Sequence, residues 1–164
     1  MKYYFLAAFS SIGFAVTGLT LYGQNNLSVQ AIFDHYYALR NAITNSKPTD
    51  AIKAAVAFTT TVQSVNAKQM SAKELVAFQS VQPKLLSLSQ ELAKTPDLTK
   101  QRNLFQGLSN DVIALRKEVK LPSPSYVAFC PMKKAYWLTQ EKEVKNPYYG
   151  SSMLNCGSIS QTIQ

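Results

Sequence analysis

From Leu98 to Val119 the side chains Leu98, Gln101, Phe105, Leu108, Val112, Leu115 and Val119 recur at alternating steps of three and four. That spacing lines one face of an α-helix about six turns long, and a face of that length must be covered by other elements. Three further segments supply the cover. From Leu27 to Ala42, Ile32, Tyr36 and Leu39, with Ile43 just beyond, repeat at helical spacing. A turn at Asn45–Pro48 leads into a second helix from Thr49 to about Val65, with Pro48 suited to a helix start because its missing N–H would be unpaired there anyway. Its residues Ala51, Ala54, Ala55 and Ala57 permit close approach of a neighbour. Ser71 followed by Glu74 is a capping-box pattern that opens a third helix, carried onward by Leu85, Leu88 and Leu92. Pro83 predicts a kink or break in it near Val81 and Gln82. Four such helices with short connections predict an all-α fold, an antiparallel bundle of about four helices, and no fixed-period repeat points to a solenoid.

The amino terminus sets the compartment. Lys2 precedes an apolar run through Phe5, Leu6, Phe9, Ile12, Phe14 and Val16, the layout of a secretory signal over residues 1–23. The competing reading, an uncleaved anchor, needs roughly 20 unbroken apolar residues, and Ser10, Ser11, Gly13, Thr17, Gly18 and Thr20 dilute this run. The expected mature chain, 24–164, is a single helical domain in the periplasm or secreted, touching a membrane only through its signal. It divides into a bundle, 24–120, and a lobe, 121–164. The formal charge of +8 would suggest nucleic acid in a cytoplasmic protein. Export and the even spread of the lysines argue instead for a solvated basic surface, with no nucleic-acid partner.

Beyond Lys120 the pattern changes, because Leu121-Pro122-Ser123-Pro124 cannot continue a helix. The lobe that follows holds both cysteines, the only Trp and two methionines, and is expected to be irregular apart from a short extended segment at Tyr126–Phe129 and a turn at Asn146–Gly150. Its sulfur residues form two mirrored clusters, Cys130-Pro131-Met132 and Met153-Leu154-Asn155-Cys156. Thiolate and thioether sulfurs are soft donors that select Cu(I) or Ag(I) over hard ions. Cys130, Met132, Met153 and Cys156 are therefore candidate ligands of one soft ion. A second reading stands beside this one: two cysteines in an exported protein form a disulfide, Cys130–Cys156, and the methionines only pack. A reduced pair could hold metal and an oxidised pair release it.

The aromatics Tyr126, Phe129, Tyr136, Trp137, Tyr148 and Tyr149 read as a lid over the bundle end, with Trp137 also able to face a bound cation. His35, the only histidine, reads as a surface or partly buried helix residue, the alternative being a ligand that completes the sulfur site. Arg102 beside Gln101, and Arg116 with Glu118, read as surface pairs of small energetic weight. There is no nucleophile motif with a base, no Cys-x-x-Cys, no glycine-rich phosphate loop and no His–carboxylate cluster for zinc, so catalysis is not expected.

The strings Tyr126-Val127-Ala128-Phe129-Cys130-Pro131-Met132, Ala135-Tyr136-Trp137-Leu138-Thr139, Asn146-Pro147-Tyr148-Tyr149-Gly150, Met153 and Cys156-Gly157, with Gln101-Arg102, Phe105 and Leu108-Ser109 upstream, resemble a family of uncharacterised exported domains. Members occur alone or fused to the adaptor subunits of copper/silver efflux pumps. The resemblance implies a helical domain with a C-terminal motif lobe, a part in heavy-metal handling, and a metal-efflux adaptor or another envelope protein as partner. It marks Cys130, Met132, Trp137, Asn146, Pro147, Tyr148, Gly150, Met153, Cys156 and Gly157. The chain departs from the pattern at Lys133 and Lys134, whose ammonium groups would oppose a bound cation.

Overall fold

A computed structural model describes residues 28–164; the expected signal segment, 1–23, lies outside them. Four helices form the bulk of the molecule: α1 (Val29–Thr44), α2 (Pro48–Ser64), α3 (Ala72–Leu92) and α4 (Leu98–Glu118). The local signals explain their limits. Pro48 sits in the first turn of α2, and Asp97 caps α4 by accepting from the Lys100 amide at 2.7 Å. At α3 the capping box is complete, with the Ser71 hydroxyl accepting from the Glu74 amide and the Glu74 carboxylate accepting from the Ser71 amide at 2.8 Å. Each helix packs chiefly on its sequence neighbours, and α1 also meets α4. Ile32, Phe33, Tyr36, Leu39, Phe58, Leu85, Phe105, Leu108 and Leu115 are fully buried between them. No helix among the described residues is long and apolar enough to cross a membrane.

Of the kink or break expected at Pro83 the break is excluded, and the reading of the lobe changes. The helix α3 runs through Pro83 without a break. Pro83 and Gln79, whose carbonyl loses its helical partner, both lie on the exposed face, where water can take the place of the missing N–H. On the buried side Gln82 Nε2 donates to the Val62 carbonyl at 3.3 Å and ties the helix to α2.

The larger correction concerns the lobe. It is not irregular, and the fold is not purely all-α: β1 (Ser125–Cys130), β2 (Ala135–Thr139) and β3 (Ser158–Ile163) form an antiparallel sheet in the order β2-β1-β3. The expected extended segment Tyr126–Phe129 is the middle of the central strand. A four-residue hairpin loop, with Lys134 in the left-handed region at φ 53°, returns β1 into β2 and sets Ala128 opposite Trp137 and Cys130 opposite Ala135. On the other edge Phe129 pairs with Ser158 and Ala128 with Ile159, and a bulge follows in which the Ser160 hydroxyl donates to the Val127 carbonyl at 3.0 Å. The sheet lies on α4 through β2. Within β2 Trp137 and Leu138 are fully buried on opposite faces, whereas Tyr136 is exposed and lies against Phe129 with ring centroids 4.6 Å apart and the planes tilted by 37°. The aromatic lid is thus made by Trp137 and Tyr148, and Tyr126, Phe129 and Tyr136 are not part of its buried layer.

Arg116 is also not a surface residue. It is fully buried and donates to the Ser125 hydroxyl and to the carbonyls of Val119, Ser123, Ile163 and Gln164, so one guanidinium laces the end of α4 to the end of the sheet where Ser125 of β1 pairs with Ile163 of β3. Glu118 pairs instead with Lys73 at 2.7 Å. Arg102 donates to the Pro147 carbonyl at 3.1 Å and the Ser46 hydroxyl at 3.0 Å, and Gln101 is buried with its amide on the carbonyls of Pro48 and Thr95. All three side chains share a physical reason: multiple N–H donors on one group satisfy carbonyls left over at helix ends and turns.

Candidate soft-metal site

The pairing of β1 with β3 brings the two cysteines together. Cys130 ends β1, and Cys156 lies two residues before β3; because Phe129 faces Ser158, the strands deliver both sulfurs to one end of the sheet. Their Sγ atoms are 3.6 Å apart. Gly157 makes the approach possible. Its φ of 137° is open to glycine, and a Cβ there would lie 2.7 Å from the Phe129 carbonyl oxygen and 3.0 Å from the Trp137 ring.

Asn146 organises the loop that carries Cys156. Fully buried, it accepts from the Tyr148 amide at 2.8 Å through Oδ1 and donates from Nδ2 to the Cys156 carbonyl at 2.7 Å. Its own amide donates to the Leu154 carbonyl and its carbonyl accepts from the Gly150 amide, so both ends of the 146–156 loop close on one residue. Gly150 holds φ 56°, where a Cβ would meet Arg102 Nη2 and Ser46 Oγ at 2.7 Å. Pro147 is buried, with its carbonyl held by Arg102. Tyr148 donates to the Tyr136 carbonyl, and its ring meets Trp137 edge-on with centroids 5.9 Å apart. Sequence position alone gives no reason for Asn, Pro, Tyr and Gly at 146–150; the loop's hydrogen bonds do.

The two thiols differ. Burial pushes the Cys130 thiol up, but hydrogen bonds from the Lys133 amide, the Asn146 side chain, the Cys156 thiol and the Met132 amide outweigh it and hold the group below its ordinary value. The Cys156 thiol is raised, first by desolvation and then by its bond to Cys130 and the charge there. Cys130 is thereby the more acidic thiol of the pair and Cys156 the less acidic. Met132, in the hairpin loop, is 65% exposed, and Met153, in a 3-10 turn, is 36% exposed; both flank the pair on the segments that bear it. The structure thus brings the cysteines into contact and leaves the two methionines at the rim. Among the described residues no group of three or more His, Cys, Asp and Glu side chains converges, and His35 stays on α1. The Lys133 ammonium is engaged by Asn103 of α4 at 2.9 Å, while its backbone N–H points at Cys130 Sγ at 3.4 Å.

Truncating Asn146 to Ala leaves the Cys156 carbonyl and the Tyr148 amide without their partner. The expected loss of unfolding free energy is about 2–4 kcal/mol, read by chemical denaturation, with a higher Cys130 pKa read from thiolate ultraviolet absorbance.

The helical part carries a sequence relationship as well. A profile described as protein of unknown function (DUF3347) matches residues 32–123, more than half of the chain. The chain belongs to the DUF3347 family. The DUF3347 match runs from α1 through α4 and ends before β1, so the thiol pair and the Asn146 loop lie beyond it. No curated protein and no solved structure matches the chain.

Proposed function

We propose that this protein is an exported, non-enzymatic module that binds a soft monovalent ion, Cu(I) or Ag(I), through Cys130 and Cys156, with Met132 and Met153 as thioether donors. The observation that carries the reading is the 3.6 Å contact between two sulfurs 26 residues apart, one of them held toward its thiolate form. Two sulfurs each about 2.3 Å from one ion at a tetrahedral angle lie about 3.8 Å apart, and in a linear arrangement about 4.6 Å. The observed spacing suits an ion with three or four ligands. The donors proposed for the open positions are the thioethers of Met132 and Met153, two and three residues along the chain from the cysteines and exposed. A zinc centre would need four N or S donors, and imidazole is lacking here. Such a module would buffer the ion or hand it to a heavy-metal efflux adaptor or another envelope protein, as the motif resemblance implies.

Titrating reduced protein with Cu(I) against a competing chelator tests this. Wild type is expected to take up one ion, Cys130→Ser/Cys156→Ser to lose uptake altogether, and Met132→Leu/Met153→Leu to bind at least about tenfold more weakly. Unchanged binding in the double serine variant rejects the site.

The same sulfur contact supports a second reading, a Cys130–Cys156 disulfide that staples an interaction domain with no metal role. Closing that loop would stabilise by roughly 3–4 kcal/mol. Thiol labelling of protein taken directly from the envelope separates the two: permanently blocked cysteines favour the staple.

A further inference from the structure

We propose that Cys130 and Cys156 form a reversible dithiol–disulfide couple in which all exchange with outside thiols and disulfides passes through the Cys156 sulfur. The geometry is asymmetric. Cys130 has no exposed surface, sits at the C-terminal end of β1 and accepts from the hairpin amide of Lys133. Cys156 is partly exposed and follows the exposed stretch Ser151–Asn155. Only 3.6 Å separates the two sulfurs, so each is the other's nearest redox partner. An outside reagent reaches one sulfur; the other waits behind it.

Oxidation begins when Cys156 gives its proton to water and its sulfur attacks one sulfur of an outside disulfide of the glutathione type. That S–S bond breaks, one thiolate leaves and is protonated, and Cys156 carries a mixed disulfide. Cys130 then gives up its proton to water and its Sγ attacks Cys156 Sγ, the second outside thiolate leaves and is protonated, and the Cys130–Cys156 bond closes. Two electrons and two protons pass from the protein to the outside disulfide, which becomes two thiols. Reduction runs the other way. An outside thiolate attacks the accessible Cys156 Sγ, and the electron pair departs on Cys130 Sγ, where the Lys133 amide donates to it. The couple is therefore a labile switch and not a permanent staple. Its consequence for metal rests on the proposed Cu(I)/Ag(I) reading: a disulfide offers no thiolate, so the surrounding thiol balance would set whether the site can load.

The test uses metal-free reduced protein mixed with oxidised glutathione, quenched with acid at intervals and read by mass spectrometry. Cys130→Ser is expected to accumulate one glutathionyl adduct at Cys156. Cys156→Ser should form its adduct at Cys130 at least about tenfold more slowly, and wild type should pass to the internal disulfide with only a transient adduct. Equal rates in the two variants, or a wild type that stops at the mixed disulfide, overturn the proposal. Because a variant that opened would expose Cys130, wild type is also given limiting iodoacetamide: first alkylation at Cys156 supports the assignment, and first alkylation at Cys130 overturns it. No metal enters these readings, so a failed Cu(I) titration and a failed exchange experiment are separate results.

Discussion

Replacing Trp137 with Ala is expected to lower the unfolding free energy by about 3–5 kcal/mol, the range for removing a large aromatic side chain from a packed interior. Trp137 is fully buried and is the largest such side chain. Its ring meets Tyr148 edge-on and lies against Gly157, so it forms the floor under the loop that carries Cys156. The indole N–H has no hydrogen-bond partner among the described residues, which sharpens the test. Trp137→Phe removes that unpaired donor and a smaller volume, and is expected to cost only about 1–2 kcal/mol. Equilibrium denaturation of the two variants checks both values. If Trp137→Ala costs no more than Trp137→Phe, the packing account of this residue is wrong. The alanine variant is also expected to loosen the sulfur contact, seen as faster alkylation of Cys130.

A second large effect is expected at Arg116. Replacement by Met keeps much of the length and apolar stem but deletes every donor, leaving the carbonyls of Val119, Ser123 and Ile163 and the Ser125 hydroxyl to find other partners. The expected cost is about 3–5 kcal/mol. Lysine keeps the charge but offers three donors on one nitrogen in place of a planar fork, and cannot span acceptors on α4, the α4–β1 turn and β3 together. Arg116→Lys should therefore recover less than half of the loss. The damage should be local first: β3 is mostly exposed and held by β1 and by this guanidinium, so its amides should lose hydrogen-exchange protection before those of α4. A uniform loss of protection across the molecule would contradict the lacing role.

These two residues also show where reading the chain succeeds and where it stops. The bundle is legible because a helix buries a repeating stripe: Phe105, Leu108, Val112 and Leu115 are as buried as their spacing requires, and the Ser71–Glu74 box opens α3 as its pattern says. Local rules also mislead. Pro83 does not break α3 because its lost hydrogen bond falls on the solvent side, and nothing in a one-dimensional pattern reports which side that is. Arg116 looks like a surface partner for Glu118 two residues on, but residues two apart on a helix do not face each other, and the one that faces the sheet is taken inside. The β3 strand has no pattern to find: Ser158–Ile163 is polar, largely exposed and bulged, and is a strand because β1 offers it a hydrogen-bonding edge.

What the chain declares by itself is chemistry and local propensity: four helices, a break at Leu121–Pro124, and two cysteine–methionine clusters. Whether those clusters meet is a matter of register. An antiparallel strand shifted by one residue would turn every side chain to the opposite face, and only the pairing of Phe129 with Ser158, locked by the bulge, Gly157 and the buried Arg116, sets Cys130 beside Cys156. Periodicity is written into a helix residue by residue. The meeting of distant strands is decided by which surfaces remain to be covered once the helices have packed.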